Sequence, residues 1–429
     1  MSSSHIASAW KFYRSLGSPK YIVAPMVNAS ELAFRLLTRR YGAELCVTPM
    51  LNSAVWVRSE EYREKNLRVA PGDEPLLAQF CGNDPKILLE AALDVQDRVA
   101  GVDINLGCPQ NIARRGHYGA FLLEETELLV EMVDTLARGL TVPVTCKIRV
   151  LESGVDDTIA LCLALQDAGC SILTVHGRTR RMKKDLIGPC DWGAIKAIKE
   201  AVDIPVFANG GIECFEDIDE CMRATCVDGV MLSEAILERP DIFANVPFSI
   251  ANQLKISREY LALARDYPPY VNKVTRGHIF KFLHTAMTSW PELRPMLGKS
   301  RTVDEMAAVV ERVSDLVQHE LTCPLPATEC PVTHSDGRTW YRRHAHRWNA
   351  GMKATLEPVD YSAEPQPIAM SDRAVAKAAA KAVAKATANI NAKAASEAAS
   401  AAASTASETE QAASGGQTDE GKAQEATAS

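Results

Sequence analysis

The chain lacks any apolar run of the ~18 residues that a bilayer-spanning helix needs, so no membrane partner is expected. It has no acidic residue before Glu31. The Ser-rich start with Lys11 and Arg14 has the composition of a weak transit peptide. The competing expectation is a short helix, Ala7–Leu16, packed just ahead of the first strand, and the large aromatics Trp10, Phe12 and Tyr13 favour it. No GxGxxG follows the first apolar run, which argues against an open dinucleotide-binding sheet. From Ser362 to the end there is no aromatic residue and no leucine. Ala, Ser, Thr, Glu and Lys dominate, so 362–429 has nothing with which to build a core and is expected to be a disordered tail. In it Lys377, Lys381 and Lys385 recur every fourth residue, the spacing of one helix face. A solubilising role is favoured over RNA tethering. The 12 cysteines are scattered through apolar segments, as at Cys46, Cys146, Cys162 and Cys221. That is the usage of buried free thiols in a reducing compartment, cytoplasmic and/or nuclear, without disulfides.

What is present is a long series of short apolar runs separated by amphipathic stretches. The runs Tyr21–Met26, Leu45–Met50, Pro75–Phe80, Gly101–Gly107, Pro143–Val150, Ile172–Arg178, Pro205–Gly211 and Gly229–Ala235 read as strands. They are continuously apolar, as in a parallel sheet covered on both faces. Ser30–Tyr41, Pro85–Asp97, Thr126–Arg138, Asp157–Ala168, Trp192–Ala201 and Phe215–Arg223 read as the helices between them. Eight β-α units of similar length point to a (β/α)8 TIM barrel over 21–248, preceded by a helical lead-in, 1–20. An open doubly wound sheet is the alternative.

After the barrel the character changes. Ala251–Asp266, Asn272–Ser289, Arg294–Gly298 and Thr302–Glu320 read as a small all-helical domain, 249–320, followed by a basic irregular extension, 321–361. From Val246 to Lys353 there are fifteen Lys/Arg against ten Asp/Glu, so this stretch carries +5 in a chain of net charge −7. A basic region in an acidic chain suits a polyanionic partner. Cys323, Cys330, His334 and His344 have no standard zinc spacing, and no metal site is expected. No obligate protein partner is inferred.

In a TIM barrel the active site lies at the C-terminal ends of the strands. Polar residues cluster there: Asn28, Gln79, Asn105 and Cys108, Lys147 and Arg149, His176 and Arg178, Asn209-Gly210-Gly211, and Ser233-Glu234. If this rim holds a flavin phosphate, Asn209-Gly210-Gly211 and Ser233-Glu234-Ala235 can supply backbone N–H groups, in the region where barrel phosphate sites usually lie. Lys147 can stabilise an anionic reduced ring, Gln79 can bond its other edge, and His176 can donate to ring or phosphate. Cys108 opens a Gly-rich basic loop with Arg114, Arg115, His117, Gly116 and Gly119. An ordinary thiol titrates at about 8.5 and is protonated at neutral pH, so it can act as a general acid beside a flavin. A nucleophile served by His117 is the alternative.

Asn105-Leu106-Gly107-Cys108-Pro109 resembles the signature of the tRNA dihydrouridine synthases, and the run to Leu122 resembles the eukaryotic subfamily acting on positions 16 and 17 of the tRNA D-loop. Val23-Ala24-Pro25-Met26, Gln79-Phe80, Lys147-Ile148-Arg149, Val175-His176-Gly177-Arg178 and Ala208-Asn209-Gly210-Gly211-Ile212 extend the resemblance, which covers roughly 10–320. It implies an FMN barrel and a helical tRNA-binding domain. It also implies NADPH (or NADH) as reductant, hydride transfer to uracil C6 and protonation of C5 by Cys108. By position it implies that Pro25, Met26, Val27, Gln79, Lys147, His176, Asn209, Gly210, Gly211, Ser233 and Glu234 contact FMN. Asn105, Arg149 and Arg178 would lie near a flipped uracil, and Arg114 and Arg115 on the RNA backbone. Two positions depart from the family pattern. Asn28 stands where an acid is common, and Ser233-Glu234-Ala235 where many relatives carry Gly-Arg, so Glu234 would serve through its main chain. Rival readings are a flavin reductase of a free pyrimidine or an enone, and a non-catalytic RNA-binding barrel.

Overall fold

The computed structural model describes residues 3–183 and 186–322. Eight parallel strands follow one another around a closed barrel: β1 (Tyr21–Val23), β2 (Leu45–Val47), β3 (Leu76–Cys81), β4 (Gly101–Leu106), β5 (Val144–Arg149), β6 (Cys170–His176), β7 (Val206–Asn209) and β8 (Gly229–Leu232). β1 pairs with both β2 and β8, and β2 with β3, which closes the ring and excludes an open sheet. A two-residue strand, Leu51–Asn52, adds to β3 on the rim. All eight expected strands are present. The observed ladders of β1, β2, β7 and β8 stop two or three residues short of the apolar runs, because the chain leaves the sheet to form the rim.

The barrel has two apolar cores. Inside the ring, Ile22, Ala24, Leu45, Val47, Leu77, Ile172, Phe207 and Met231 pack together with Phe12, Tyr13 and Leu16 of the N-terminal helix. That helix, Ser3–Ser15, therefore closes the bottom of the barrel. Tyr13 Oη donates to Asp228 O at 2.9 Å and its ring lies 6.1 Å from Phe207. Gly101 leaves room for that helix: a Cβ would lie 3.0 Å from Phe12 Cζ and from Pro143 O, tighter than an ordinary contact. The second, larger core lies between the outer strand faces and the helices Leu32–Arg40, Pro85–Leu93, Thr126–Gly139, Val155–Ala168, Trp192–Ala201 and Phe215–Thr225. Local chemistry starts these helices. Asp84 caps Lys86 and Ile87 N–H with Pro85 at the first position, and Asp191 caps Ala194 N–H.

The helical segment after the barrel consists of Ile250–Asp266, Asn272–Phe282, Ala286–Ser289, Leu293–Lys299 and Val303–Thr322. The single helix expected over Asn272–Ser289 is interrupted. His284 N–H reaches back to Lys281 O, a tighter turn that no Pro or Gly announces in the sequence. These helices share the barrel's outer core: Tyr260 Oη donates to Glu31 Oε1 at 2.7 Å, and His278 stacks on Phe34 at 4.5 Å between centroids. Two further helices, Ser53–Arg58 and Glu60–Asn66, were not foreseen. At six and seven residues they carry too little periodicity to be seen, and they are held by their caps, Asn52 Oδ1 and Ser59 Oγ. The tail 362–429, the extension beyond Thr322 and the residues Cys323, Cys330, His334 and His344 lie outside the described residues.

One buried ion pair fixes the rim segment that follows β2. Arg35 donates to Asp73 through Nε (3.0 Å) and Nη2 (2.6 Å), and to the carbonyls of Ser30 and Arg68. Both side chains are about 2 % exposed. Removing one partner leaves the other charge buried and unpaired. Asp73→Ala is therefore expected to lower unfolding free energy by about 3–5 kcal/mol in urea titration. A loss under about 1 kcal/mol would show that the pair is dispensable.

Candidate active site

The polar rim is built by strand register. Gln79 pairs with Asp103 across β3 and β4, Asn105 with Lys147 across β4 and β5, Arg149 with His176 across β5 and β6, and His176 with Asn209 across β6 and β7. The polar residues thus stand side by side at the C-terminal end, above the apolar interior.

A hydrogen-bonded chain runs through them to the thiol loop. Buried Asp103 accepts from Thr145 Oγ1 at 2.6 Å and from Gln79 Nε2 at 2.8 Å. Gln79 Oε1 accepts from Asn105 Nδ2 at 2.7 Å. Asn105 Oδ1 accepts the N–H of Cys108 at 3.0 Å and of Gly107 at 3.3 Å. The amide orientations of Gln79 and Asn105 are thereby set by a carboxylate on the strand that leads into the thiol, five residues before it. Burial raises the Asp103 carboxyl above the usual range, and the bonds from Thr145 and Gln79 act against that rise. Sequence reasoning singled out Gln79 and Asn105 but missed Asp103 and Thr145. The available signal was parity: Asp103 lies two residues before Asn105, on the same face of β4.

The loop then folds back over Cys108. Ala120 N–H donates to Cys108 O at 3.1 Å, and Gly119 has φ +69° with no room for a side chain, since a Cβ would lie 2.9 Å from Cys108 O. Cys108 is half-buried and packs against Cys81, Ala113 and Tyr118. Residues 111–116 form a short helix, Asn111–Gly116, rather than open loop, ended by His117 in left-handed conformation. Arg114 and Arg115 are exposed on it, and the contacts of the rim network do not include them. His117 is engaged at both nitrogens, with Glu125 at 2.6 Å and Asn83 at 3.3 Å. It is therefore not a base for Cys108, and the nucleophile alternative loses its partner.

Next to this ladder, on β5 and just after β6, three cations converge. Lys147 Nζ donates to Asn209 Oδ1 at 2.8 Å, while Asn209 Nδ2 donates to Met231 O at 2.7 Å. The asparagine expected to act through its backbone thus orients the lysine with its side chain. Arg149 is bound to three backbone carbonyls, those of Gly107 (2.9 Å), Thr179 (2.7 Å) and Met182 (3.4 Å), and straps the thiol loop to the loop after β6. Arg178 donates to Gly188 O at 2.8 Å and approaches His176 Nε2 at 3.2 Å. An acceptor at Nε2 requires a neutral ring with its proton on Nδ1. Desolvation, then the charges of Arg149, Lys147 and Arg178, hold His176 well below its usual value. Desolvation and Arg149 lower Lys147 to about 8, and desolvation and Arg178 lower Arg149 to about 10. Lys147 and Arg149, each depressed first by desolvation and then by a neighbouring cation, are positive charge held out of water, the condition an anionic ligand relieves.

Beside them Gly210 and Gly211 have φ +99° and +81°. A Cβ on Gly210 would come within 2.8 Å of His176 Cδ2 and 2.9 Å of Cys190 Sγ. Only glycine fits there, because His176 and Cys190 pack directly on the backbone. Pro25, Met26 and Val27 form the rim above β1, with Met26 N–H donating to Ser30 Oγ at 3.0 Å and Val27 exposed. Ser233 and Glu234 follow β8, half-buried, ahead of the single turn Ala235–Leu237.

The chain is similar to known proteins over most of its length. Residues 22–317 match the family described as dihydrouridine synthase (Dus). A Mus musculus protein named as a tRNA-dihydrouridine(16/17) synthase-like protein is 42% identical over 362 residues, 82% of this chain and 75% of its own. A Saccharomyces cerevisiae tRNA-dihydrouridine(16/17) synthase is 37% identical over 77% of this chain and 82% of its own. A Mus musculus tRNA-dihydrouridine(20a/20b) synthase-like protein is 41% identical over 52% of this chain and 68% of its own.

Proposed function

Because the chain belongs to the dihydrouridine synthase family, we propose that it reduces the C5–C6 double bond of uridines 16 and 17 in the tRNA D-loop, with FMN as cofactor and NADPH or NADH as electron source. The broad matches to 16/17 enzymes, against the shorter match to a 20a/20b enzyme, support that choice of positions. The free thiols of all ten described cysteines suit a cytoplasmic or nuclear enzyme.

The observation that carries the proposal is the ladder from Asp103 through Gln79 and Asn105 to the N–H of Cys108, set beside the cation cluster around Lys147. The residues present fit FMN. Lys147, held by Asn209, would neutralise negative charge on the reduced flavin, and Gln79, locked by Asp103 and Asn105, would hydrogen-bond to it. Gly210, Gly211, Ser233 and Glu234 offer main chain to the phosphate, and Pro25, Met26 and Val27 line the approach. A reduced flavin held there would supply the hydride for uracil C6, and Cys108 would give its proton to C5. Asn105 holds the thiol's backbone in place, while Arg149 keeps the thiol loop and the loop after β6 together around the flipped base. Arg178 supports the base side of the pocket through His176, and exposed Arg114 and Arg115 meet the RNA backbone.

The test compares dihydrouridine at each D-loop position in tRNA from cells with and without the protein. Loss at 16 and 17 is expected on deletion. An unchanged profile at every position overturns the proposal.

A further inference from the structure

A cavity of about 260 Å3 lies between the β1–β2 rim and the linker that joins Ile250–Asp266 to Asn272–Phe282. Val27 and Met50 come from the barrel rim, Tyr62, Lys65 and Arg68 from the segment after β2, and Tyr270 from the linker. Met50 also packs on the cluster of Cys81, Ala113 and Tyr118 that carries Cys108, so one side chain separates this cavity from the reactive loop.

The lining is aromatic, apolar and cationic together. Tyr270 is 62% exposed, and the adjoining Val271 and Val27 are exposed as well. Lys65 Nζ lies 4.3 Å over the Tyr270 ring and donates to its hydroxyl at 3.1 Å. Arg68 Nη1 donates to Pro268 O at 2.6 Å and braces the linker against the rim. Two carboxylates face this region. Glu31 is committed to Tyr260 and His278 at 2.7 and 3.1 Å. Glu61 pairs with Lys65 at an exposed position, and such a pair is easily exchanged for another anion. An exposed aromatic ring with cations beside it is the chemistry that receives an unstacked base and its phosphate. The volume is below the roughly 300–1,000 Å3 of drug-sized sites, which suits one base rather than two.

We propose that this cavity holds one nucleotide of the D-loop next to the reacting uridine, its base stacked on Tyr270 and its phosphate beside Lys65 and Arg68. The proposal rests on the tRNA reading above and adds a second grip one side chain from the thiol loop. That grip would fix which uridine reaches Cys108. The flavin-loaded enzyme is assayed on tRNA transcripts in which each nucleotide flanking the target is replaced in turn by an abasic residue. For the unmodified protein, one abasic position should raise KM about ten- to hundredfold with kcat within about twofold. Tyr270→Ala should show the same rise on intact tRNA and no further rise on that abasic transcript. Tyr270→Phe keeps the ring and should stay within about twofold of the unmodified protein. Independent, multiplying losses overturn the proposal. So does normal KM for Tyr270→Ala, or indifference of the unmodified protein to every flanking abasic position. An unmodified protein that makes no dihydrouridine in intact tRNA overturns the assigned function itself, and this proposal with it.

Discussion

Cys108→Ala should retain its flavin and lose about 10²–10⁴-fold in dihydrouridine formation, the contribution of a positioned general acid. The geometry confines the loss to chemistry. The thiol is half-buried, and the loop around it is held by backbone: Asn105 Oδ1 on the Cys108 N–H, and Cys108 O on Ala120 N–H. Those bonds survive truncation of the side chain. In deuterated water the unmodified protein should place one deuterium at C5 of the product, because an S–H proton exchanges with solvent before transfer. A nucleophilic cysteine would leave a protein–RNA adduct that resists denaturation. The engagement of His117 with Glu125 and Asn83 argues that none forms. Undiminished tRNA reduction by Cys108→Ala would remove the thiol from the mechanism.

Lys147→Ala should weaken flavin binding by about 10- to 150-fold, as expected for a hydrogen bond to a charged group of about 1.5–3 kcal/mol. Glu234→Gln should weaken it by no more than about twofold, since Glu234 is assigned to the site through its main chain. Equal losses would refute that assignment. The lysine also predicts a pH profile with a definite sign. Its free-state value is about 8, lowered first by desolvation and then by Arg149. An anionic ligand favours the ammonium and raises that value on binding, so above pH 8 binding takes up a proton. Flavin affinity should therefore be flat below about pH 8 and fall as pH rises above it, until the raised value of the complex is passed. Lys147→Ala should lack this fall. Fluorescence titration of FMN across pH 6–10 checks both, and a fall that persists in Lys147→Ala would assign it to another group. Arg149, at about 10, is the nearest such group.

The eight apolar runs and the helical stretches between them determined the barrel, because a strand buried on both faces must be apolar throughout and its crossover must be amphipathic. The loop around Cys108 was also legible, since Gly119 and the residues flanking the thiol answer to local backbone needs. Partnership across strands was not legible. Whether Asn209 serves with backbone or side chain, whether Arg149 is free or bound to three carbonyls, and whether Asp103 belongs to the site all depend on register and closure. Those relations join residues 24 to 62 positions apart, and local periodicity carries no information about them. The same holds for the N-terminal helix that closes the barrel floor, and for Tyr270 meeting Lys65 across 205 residues of sequence. The sequence by itself therefore determined the architecture and the backbone needs of the loop around Cys108, because burial and backbone strain act locally. The tertiary structure decided which polar group holds which, because a buried hydrogen bond exists only where closure brings donor and acceptor together.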